Sequence, residues 1–305
     1  MFLEGSAIED ENKNIFYVIF YNDIDDEIYV KPKYLYKSSK YYKISENKSP
    51  YLLQKYLKYN IYKYSNYLKK YTYIFPIEHI SKYYNPIAKC LQILDRPTNI
   101  YEKVARNIIL EIIKESNEKA QNFGISGSIL VNLQNEKSDI DIFYYGNNYK
   151  AIYDSLVRLF RKRKFSPFKG NLLKNLYIER NFRKIIDYKI FKKIEKNKKM
   201  EGIYDKKFPF SIKIVKKRYL KIIERKNIIE DYVNTIDSSE AYLWPAKYVI
   251  KSLKNGEEYS IITYRQRYVE FLKKGDLAKI KGEIEITNEG KIINVDEKGY
   301  IIPLQ

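Results

Sequence analysis

Cysteine and histidine are almost missing from this 305-residue chain, which holds one of each, Cys90 and His79. A lone cysteine excludes any disulfide within the chain, and the pair falls short of the about four ligands that a Cys/His zinc site needs. The expectation is a reducing, cytoplasmic compartment, with Cys90 as buried packing and His79, in a Pro-Ile-Glu-His-Ile stretch, as a surface or packing residue. Any metal must then be held by oxygen, which points to Mg2+ or Mn2+. No apolar run approaches the ~18 residues of a membrane span. The N-terminal stretch turns acidic within ten residues and lacks the basic start and apolar core of a signal peptide. No membrane partner is expected. A Gly-x4-Gly-Lys-Ser/Thr loop is also absent, so any phosphate site here is not a P-loop. There is no internal repeat and no low-complexity linker.

What is abundant is lysine and tyrosine. The formal charge is +19, with 57 basic residues, and tyrosine occurs 33 times. Clustered Lys and Arg near phosphates release counterions and drive binding to nucleic acid. Only 11 of the basic residues are Arg, and Lys, Asn, Ile, Tyr and Phe are the residues of AT-rich codons. Codon bias supplies such a composition without any ligand, so the charge supports a polyanionic partner and does not prove one.

Along the chain, residues 1–48 read as β-structure. Asn14–Tyr21 and Glu27–Tyr36 are rich in strand formers, and Asn22-Asp23 makes a turn between them. The stretch 51–71, YLLQKYLKYNIYKYSNYLKKY, has apolar residues at mixed three- and four-residue spacing and reads as an amphipathic helix. Pro76, Pro86 and Pro97 then punctuate a linker. Residues 101–121 read as a helix with Val104, Ile108, Ile109 and Ile112 on one side. A short strand, NFGIS, follows, then a Gly-Ser turn, a helical piece ILVNLQ, a second strand DIDIFYYG and a helix over 149–165. Residues 170–200 read as helical and very basic, and Phe208–Val215 alternates like a strand. From 236 onward, short strands separated by KKGD, TNEG and DEKG turns suggest a small antiparallel barrel or sandwich, with an OB-like barrel as the expected form. The expected division is 1–100, 101–235 and 236–305.

Chemistry concentrates in Phe123–Gly146, FGISGSILVNLQNEKSDIDIFYYG: Gly-Ser, ten intervening residues, then Asp-x-Asp. On a strand, side chains alternate, so Asp139 and Asp141 share one side while Ile140 and Ile142 pack on the other. Asp is disfavoured in strands, so two at the head of one call for a reason. Paired carboxylates that share two divalent ions ~3.5–4 Å apart are such a reason, because the ions clamp the attacking and leaving oxygens of an in-line phosphoryl displacement. Gly127 allows backbone to approach a phosphate closely, and the Ser128 hydroxyl can donate to it at a strand-to-helix turn. The plainer reading makes Gly127-Ser128 an ordinary helix start and the aspartates a solvated strand end. Spacing and strand–turn–helix–strand context favour the chemical one.

This segment resembles the DNA polymerase β-like nucleotidyltransferase superfamily, and more narrowly the archaeal predicted nucleotidyltransferases, which carry similar Gly-Ser-Leu-Leu and Ser-Asp-Ile-Asp-Leu stretches ending in Tyr-Gly. Weaker similarity extends to KYYKI, EHISKYYNP and KGDLAKIKGEIE. The resemblance implies an α+β protein: a small mixed sheet with flanking helices as a polymerase-β-like core, an N-terminal β-region and a C-terminal barrel. Gly127 and Ser128 would bind the phosphates of a nucleoside triphosphate, with Asp139 and Asp141 as metal ligands and catalytic residues. The superfamily supplies a third carboxylate from a later strand. The natural strand here, Phe208–Val215, offers Ser211 and Lys213 but no acid. Glu201, Asp205, Asp187 and Asp231 are the other candidates, and Lys213 is a candidate nucleotide-binding residue.

The expected function is Mg-dependent transfer of a nucleotidyl group from a nucleoside triphosphate to a hydroxyl, with RNA as the acceptor that the charge favours and a protein or small molecule as the other choices. The alternatives are a degenerate fold that binds nucleic acid without chemistry, and a toxin-type transferase acting on tRNA or a protein. Three further features have packing explanations beside functional ones. They are the run Arg158, Arg161, Lys162, Arg163, Lys164 at a helix end, the run Lys213, Lys216, Lys217, Arg218, and Tyr264, Arg265, Arg267, Tyr268 on an expected strand. Trp244-Pro245 reads as packing at a junction.

Overall fold

The computed structural model describes residues 2–44, 53, 55–57 and 59–304. Strands and helices mix along the chain, which divides into two compact units, residues 1–106 with 120–143, and residues 107–119 with 144–305. No helix among the described residues is long and apolar enough to cross a membrane.

The first unit is built on a seven-stranded antiparallel sheet. Its strands are β1 (Ala7–Asp10), β2 (Ile15–Asn22), β3 (Glu27–Lys37), β4 (Lys40–Lys43), β5 (Tyr62–Ser65), β6 (Lys70–Phe75) and β7 (Ile80–Tyr84). The order is β5-β6-β3-β2-β1-β7, with β4 on β3. Both faces are covered, as strand alternation allows. Ile8, Phe16, Val18, Ile28 and Val30 pack with Leu57, Ile61 and Phe75 on one face. Ala7, Ile15 and Tyr34 pack with Leu130 and Val131 on the other.

Residues 61–71 are not helical. They form the β5–β6 hairpin, with Tyr62 opposite Tyr73 and Tyr64 opposite Tyr71. Tyrosine is a strong strand former, and cross-strand aromatic pairs stabilise a ladder where apolar spacing alone suggested a helix. In the rest of the expected helix, residues 51, 52, 54 and 58 lie outside the described residues, and of the others only 53 is helical while 55–57, 59 and 60 are turn, bend or irregular. The expected linker is also structured. Asn85 caps helix α1 (Pro86–Asp95), its side chain accepting from the Ile87 and Ala88 amides, with Pro86 as first helical residue. Cys90 is fully buried on α1, and burial pushes its thiol up to about 12.

Helix α2 (Ile100–Ser116) buries Val104, Ile108, Ile109 and Ile112, as its periodicity requires. Near its start, Glu102 is 1% exposed. Its carboxylate accepts from Lys89 Nζ at 2.8 Å, the Thr98 amide at 2.7 Å and the Thr98 hydroxyl at 2.8 Å. Lys89 also donates to Asn132 Oδ1 at 2.9 Å. This polar knot ties α1 and α2 to the loop that follows a one-turn helix, α3 (Gly127–Leu130). Strands β8 (Phe123–Ile125) and β9 (Ile140–Tyr144) flank α3 and pair with each other.

The second unit contains α4 (Tyr149–Arg161), β10 (Phe165–Ser166), α5 (Gly170–Glu179), α6 (Tyr188–Asn197), β11 (Glu201–Tyr204) and β12 (Phe208–Val215). β10, β11 and β12 pair antiparallel in that order. The strands that follow are β13 (Ile222–Glu240), β14 (Leu243–Trp244), β15 (Ala246–Ser252), β16 (Glu258–Thr263), β17 (Leu277–Thr287), β18 (Gly290–Asn294) and β19 (Tyr300–Pro303). β14 runs parallel to β12. The remaining six form one sheet, β13-β15-β16-β18-β17-β19, in which β13 also pairs with β17. Its strands begin at Ile222, upstream of the composition change at 236. The first half of β13, IIERKNIIED, was invisible in the sequence because it pairs only with β17 and is exposed along most of its length, so no burial imposes an alternating pattern.

The basic run at the end of α4 is largely neutralised. Arg158 and Lys162 pair with Glu115, and Lys164 with Glu111. Arg180, Glu195, Lys198 and Glu201 form a buried ionic cluster, with Lys198 Nζ also donating to the Arg267 carbonyl at 3.0 Å. The expected strand carrying Tyr264 to Tyr268 ends at Thr263. Tyr268 is fully buried, and the Arg267 guanidinium lies against the Phe182 and Tyr268 rings, so these residues make core contacts, not an open stacking platform.

Burial pushes the Glu102 carboxyl up, but its bonds to Lys89 and Thr98 outweigh this and hold it below the usual carboxylate range. A depressed folded value contributes stability above the unfolded value of about 4.3, and that stability is lost as pH falls through the folded value. Glu102→Gln is therefore expected to lower stability at neutral pH by about 3 kcal/mol. It should also flatten the loss of stability between about pH 5 and 3. Thermal melts across that range check both, and parallel curves for the two proteins would contradict the assignment.

Candidate active site

The site grows from one missing atom. Gly127 has φ +62°, in the left-handed region. A Cβ at this position would overlap Asp141 Oδ2 and lie 3.3 Å from Asp141 Cγ. The carboxylate of Asp141 therefore rests against the bare Cα of Gly127. Backbone pairing sets this approach: the Ser126 amide donates to the Asp141 carbonyl at 2.9 Å. Ile140 and Ile142, the alternate residues of β9, are fully buried, while Asp141 is half-buried and Asp139 is exposed just before the strand begins.

Ser128 joins the two halves of the motif. Its hydroxyl donates to Ser138 Oγ at 3.0 Å, and Ser138 Oγ accepts from the Asn135 amide at 2.9 Å. The turn before Asp139 is thus fastened to the turn after β8. Ser138 was legible only as the residue preceding the Asp-x-Asp run. The helix that follows Gly127 is a single turn, shorter than ILVNLQ suggested. A helix macrodipole built from so few peptides is small, so any anion affinity here must come from local amides and not from the dipole.

The N-terminal sheet supplies the wall beside the aspartates. Tyr17, on β2, donates its hydroxyl to the Gly127 carbonyl at 2.6 Å. Burial, then Tyr34, Asp141, Tyr84 and Asp139 push the Tyr17 phenol well above its usual value. The Tyr34 phenol is raised by burial and by the Asp139 and Asp141 carboxylates. Both carboxylates therefore act on the same two tyrosines. Tyr17, Tyr41 and Tyr84 pack around the buried cluster of Ala7, Ile15, Tyr34, Leu130 and Val131. A second glycine serves this wall. Gly5, at φ +78°, leaves room for the Phe143 ring, which a Cβ would meet at 2.5 Å, and its carbonyl accepts from Ser126 Oγ at 2.5 Å. Tyr17 and Tyr34 were missed because the alternation of β2 and β3 reveals which residues share a face, not what that face meets.

The remaining candidates lie in the second unit. Lys213 is on β12, with Nζ 3.2 Å from Ser211 Oγ and 5.4 Å from the Trp244 ring centroid. Lys216 and Arg218 pair with Glu240. Three of the four suggested third carboxylates have other partners, and the fourth sits in a turn. Glu201 is bound into the ionic cluster, and Asp187 caps α6 by accepting from the Lys189 amide at 2.7 Å. Asp231 accepts from Ser252 Oγ at 2.5 Å, and Asp205 sits in a turn at φ +47°. Among the described residues no group of three or more His, Cys, Asp and Glu side chains gathers to hold a metal. Two carboxylates remain. They are hard oxygen donors, and Mg2+ is commonly held by one or two carboxylates completed by waters and substrate phosphates, so the pair fits that ion.

An uncharacterized protein of Methanocaldococcus jannaschii is 25% identical over 199 residues, covering 60% of this chain and 56% of that protein. The chain thus spans about half the length of the curated relative it matches. No family model matches the chain, and no solved structure matches it.

Gly127→Ala is expected to cost about 1–2 kcal/mol through the left-handed backbone and to expel the Asp141 carboxylate from its seat. Tyr17→Phe should cost about 1 kcal/mol through loss of one hydrogen bond. Because both substitutions act on the same peptide, their effects should couple by more than about 0.5 kcal/mol. Denaturant melts of the two single variants and the double variant measure this, and simple additivity would count against the seating of Asp141 on Gly127.

Proposed function

We propose that the protein is a Mg-dependent nucleotidyltransferase that moves a nucleotidyl group from a nucleoside triphosphate to a hydroxyl on RNA. The observation that carries this reading is the seat of Asp141 on Gly127. It brings a Gly-Ser turn and an Asp-x-Asp strand end together, with both carboxylates acting on the same tyrosine wall. Asp139 and Asp141 would hold the metal, which supplies charge neutralisation on the triphosphate and activation of the attacking oxygen. Gly127 admits the Asp141 carboxylate against the turn, so that a metal ligand lies beside the Gly-Ser backbone, and Ser128, already oriented by Ser138, can turn its hydroxyl to a phosphate oxygen. Tyr17 holds the Gly127 carbonyl, which fixes the orientation of the adjoining peptide. In the reaction, the acceptor oxygen bonds to the α-phosphorus, the bond from that phosphorus to the bridging oxygen breaks, pyrophosphate leaves and the hydroxyl proton passes to solvent.

The C-terminal sheet supports an RNA acceptor. β13 pairs with β15 on one edge and β17 on the other, and β16 and β18 pair parallel, which we read as a small closed barrel of OB-like connectivity. A second reading, a binding protein without chemistry, draws on the missing third carboxylate among the described residues.

The two are separated by incubating the protein with labelled nucleoside triphosphates, Mg2+ and total cellular RNA. Metal-dependent labelling that disappears in the Asp139→Ala/Asp141→Ala protein, with its circular dichroism unchanged, is the expected result. Labelling that survives the double substitution rules the assignment out. A crystal soaked with Mg2+ and a non-hydrolysable triphosphate that leaves both aspartates without ion or nucleotide favours the binding protein.

A further inference from the structure

The basic runs of this chain differ in what surrounds them. At the end of α4, Arg158, Lys162 and Lys164 are paired with Glu115 and Glu111, and after β12, Lys216 and Arg218 are paired with Glu240. Helix α6 is different. Lys189, Lys192, Lys193 and Lys196 are all exposed, and their i, i+3, i+4, i+7 spacing sets them on one stripe of the helix. Among the described residues none of the four side chains is paired with a carboxylate. The stripe spans about 10 Å at 1.5 Å per residue, which holds four like charges within a Debye length of one another. Such an arrangement is unfavourable in the isolated protein and is relieved by a polyanion.

The opposite side of α6 is already occupied. Phe191 is fully buried against Tyr177, Phe182 and Tyr188, with ring centroids 5.1, 5.4 and 6.4 Å away. A basic amphipathic helix binds a membrane by inserting its apolar face, and this helix has committed that face to its own core. An anionic lipid surface is therefore a poor partner. Beside the stripe lies a cleft of about 280 Å³ whose lining includes Ile190, Ile194 and Phe271, Lys193 and Asn197 of α6, and two carboxylates already engaged by backbone amides, Glu270 and Asp276. This lies near the lower end of ligand-site volumes, about 300–1,000 Å³, and suits one planar ring with polar edges better than a whole triphosphate nucleotide. Lys193 belongs to both stripe and cleft.

We propose that the outer face of α6 and this cleft form a binding site for single-stranded RNA, with the lysines on successive phosphates and one unstacked base in the cleft. The choice of RNA rests on the proposed acceptor. The site itself does not depend on Asp139 or Asp141.

The test is fluorescence anisotropy of a labelled, unstructured single-stranded RNA with the full chain, without metal or triphosphate, over a range of KCl concentrations. Lys189→Gln/Lys192→Gln/Lys193→Gln/Lys196→Gln should weaken binding about tenfold or more and lower the salt slope by about 0.7 for each phosphate no longer neutralised. Asn197→Trp, which blocks the cleft at an exposed rim position, should weaken binding while keeping the salt slope. Circular dichroism checks that both variants remain folded. Affinity within about twofold of the parent in the quadruple variant, or binding to phosphatidylserine vesicles in place of RNA, overturns the proposal. A parent protein that binds the strand but never labels RNA would sink the enzymatic reading alone, and one that labels RNA while the quadruple variant binds as the parent does would sink this one alone.

Discussion

The geometry of the first unit depends on a close approach that only glycine permits, the carboxylate of Asp141 lying against the Cα of Gly127. Everything nearby accommodates that contact. Pairing of β8 with β9 brings the two strands together, and the left-handed φ turns the Gly127 carbonyl toward Tyr17. The Ser128–Ser138 bond fastens the loop between them. Such a site is specified by backbone before it is specified by side chains.

The same reasoning separates two kinds of charge in this very basic chain. Some lysines and arginines are structural. Lys89 meets the buried Glu102, and Lys198 with Arg180 meets Glu195 and Glu201 where solvent cannot. Others, such as those on the outer face of α6, have no carboxylate opposite them among the described residues. A formal charge of +19 is therefore not one property but the sum of a neutralised interior and an open exterior. Only the second part is available to a polyanion.

Sequence patterning read some elements well. Helix α2 was legible because Val104, Ile108, Ile109 and Ile112 recur at the helical period and all four are buried. The strand–turn–strand around Gly127 was legible because Ile140 and Ile142 alternate with Asp139 and Asp141, and both isoleucines are fully buried. The β5–β6 hairpin was not, because tyrosine is apolar enough to mimic a helical stripe at Tyr62, Tyr64, Tyr71 and Tyr73 while its rings pair across strands. The first half of β13 escaped because a strand left mostly exposed carries no periodic signal. Within the site, Gly127, Ser128, Asp139 and Asp141 announce themselves by type and spacing. Tyr17 does not, since its importance lies in a contact with a residue far along the chain.

That distance has a consequence for synthesis. Tyr17 and Gly127 are 110 positions apart, so the N-terminal sheet can be complete while the segment that covers its second face is still inside the ribosome. Until Leu130 and Val131 arrive, Ala7, Ile15 and the tyrosines around them form a bare, ring-rich surface on the nascent chain. A polypeptide stalled or cut in that interval would display a sticky sheet, and the cell's holdase chaperones would meet it before any substrate could.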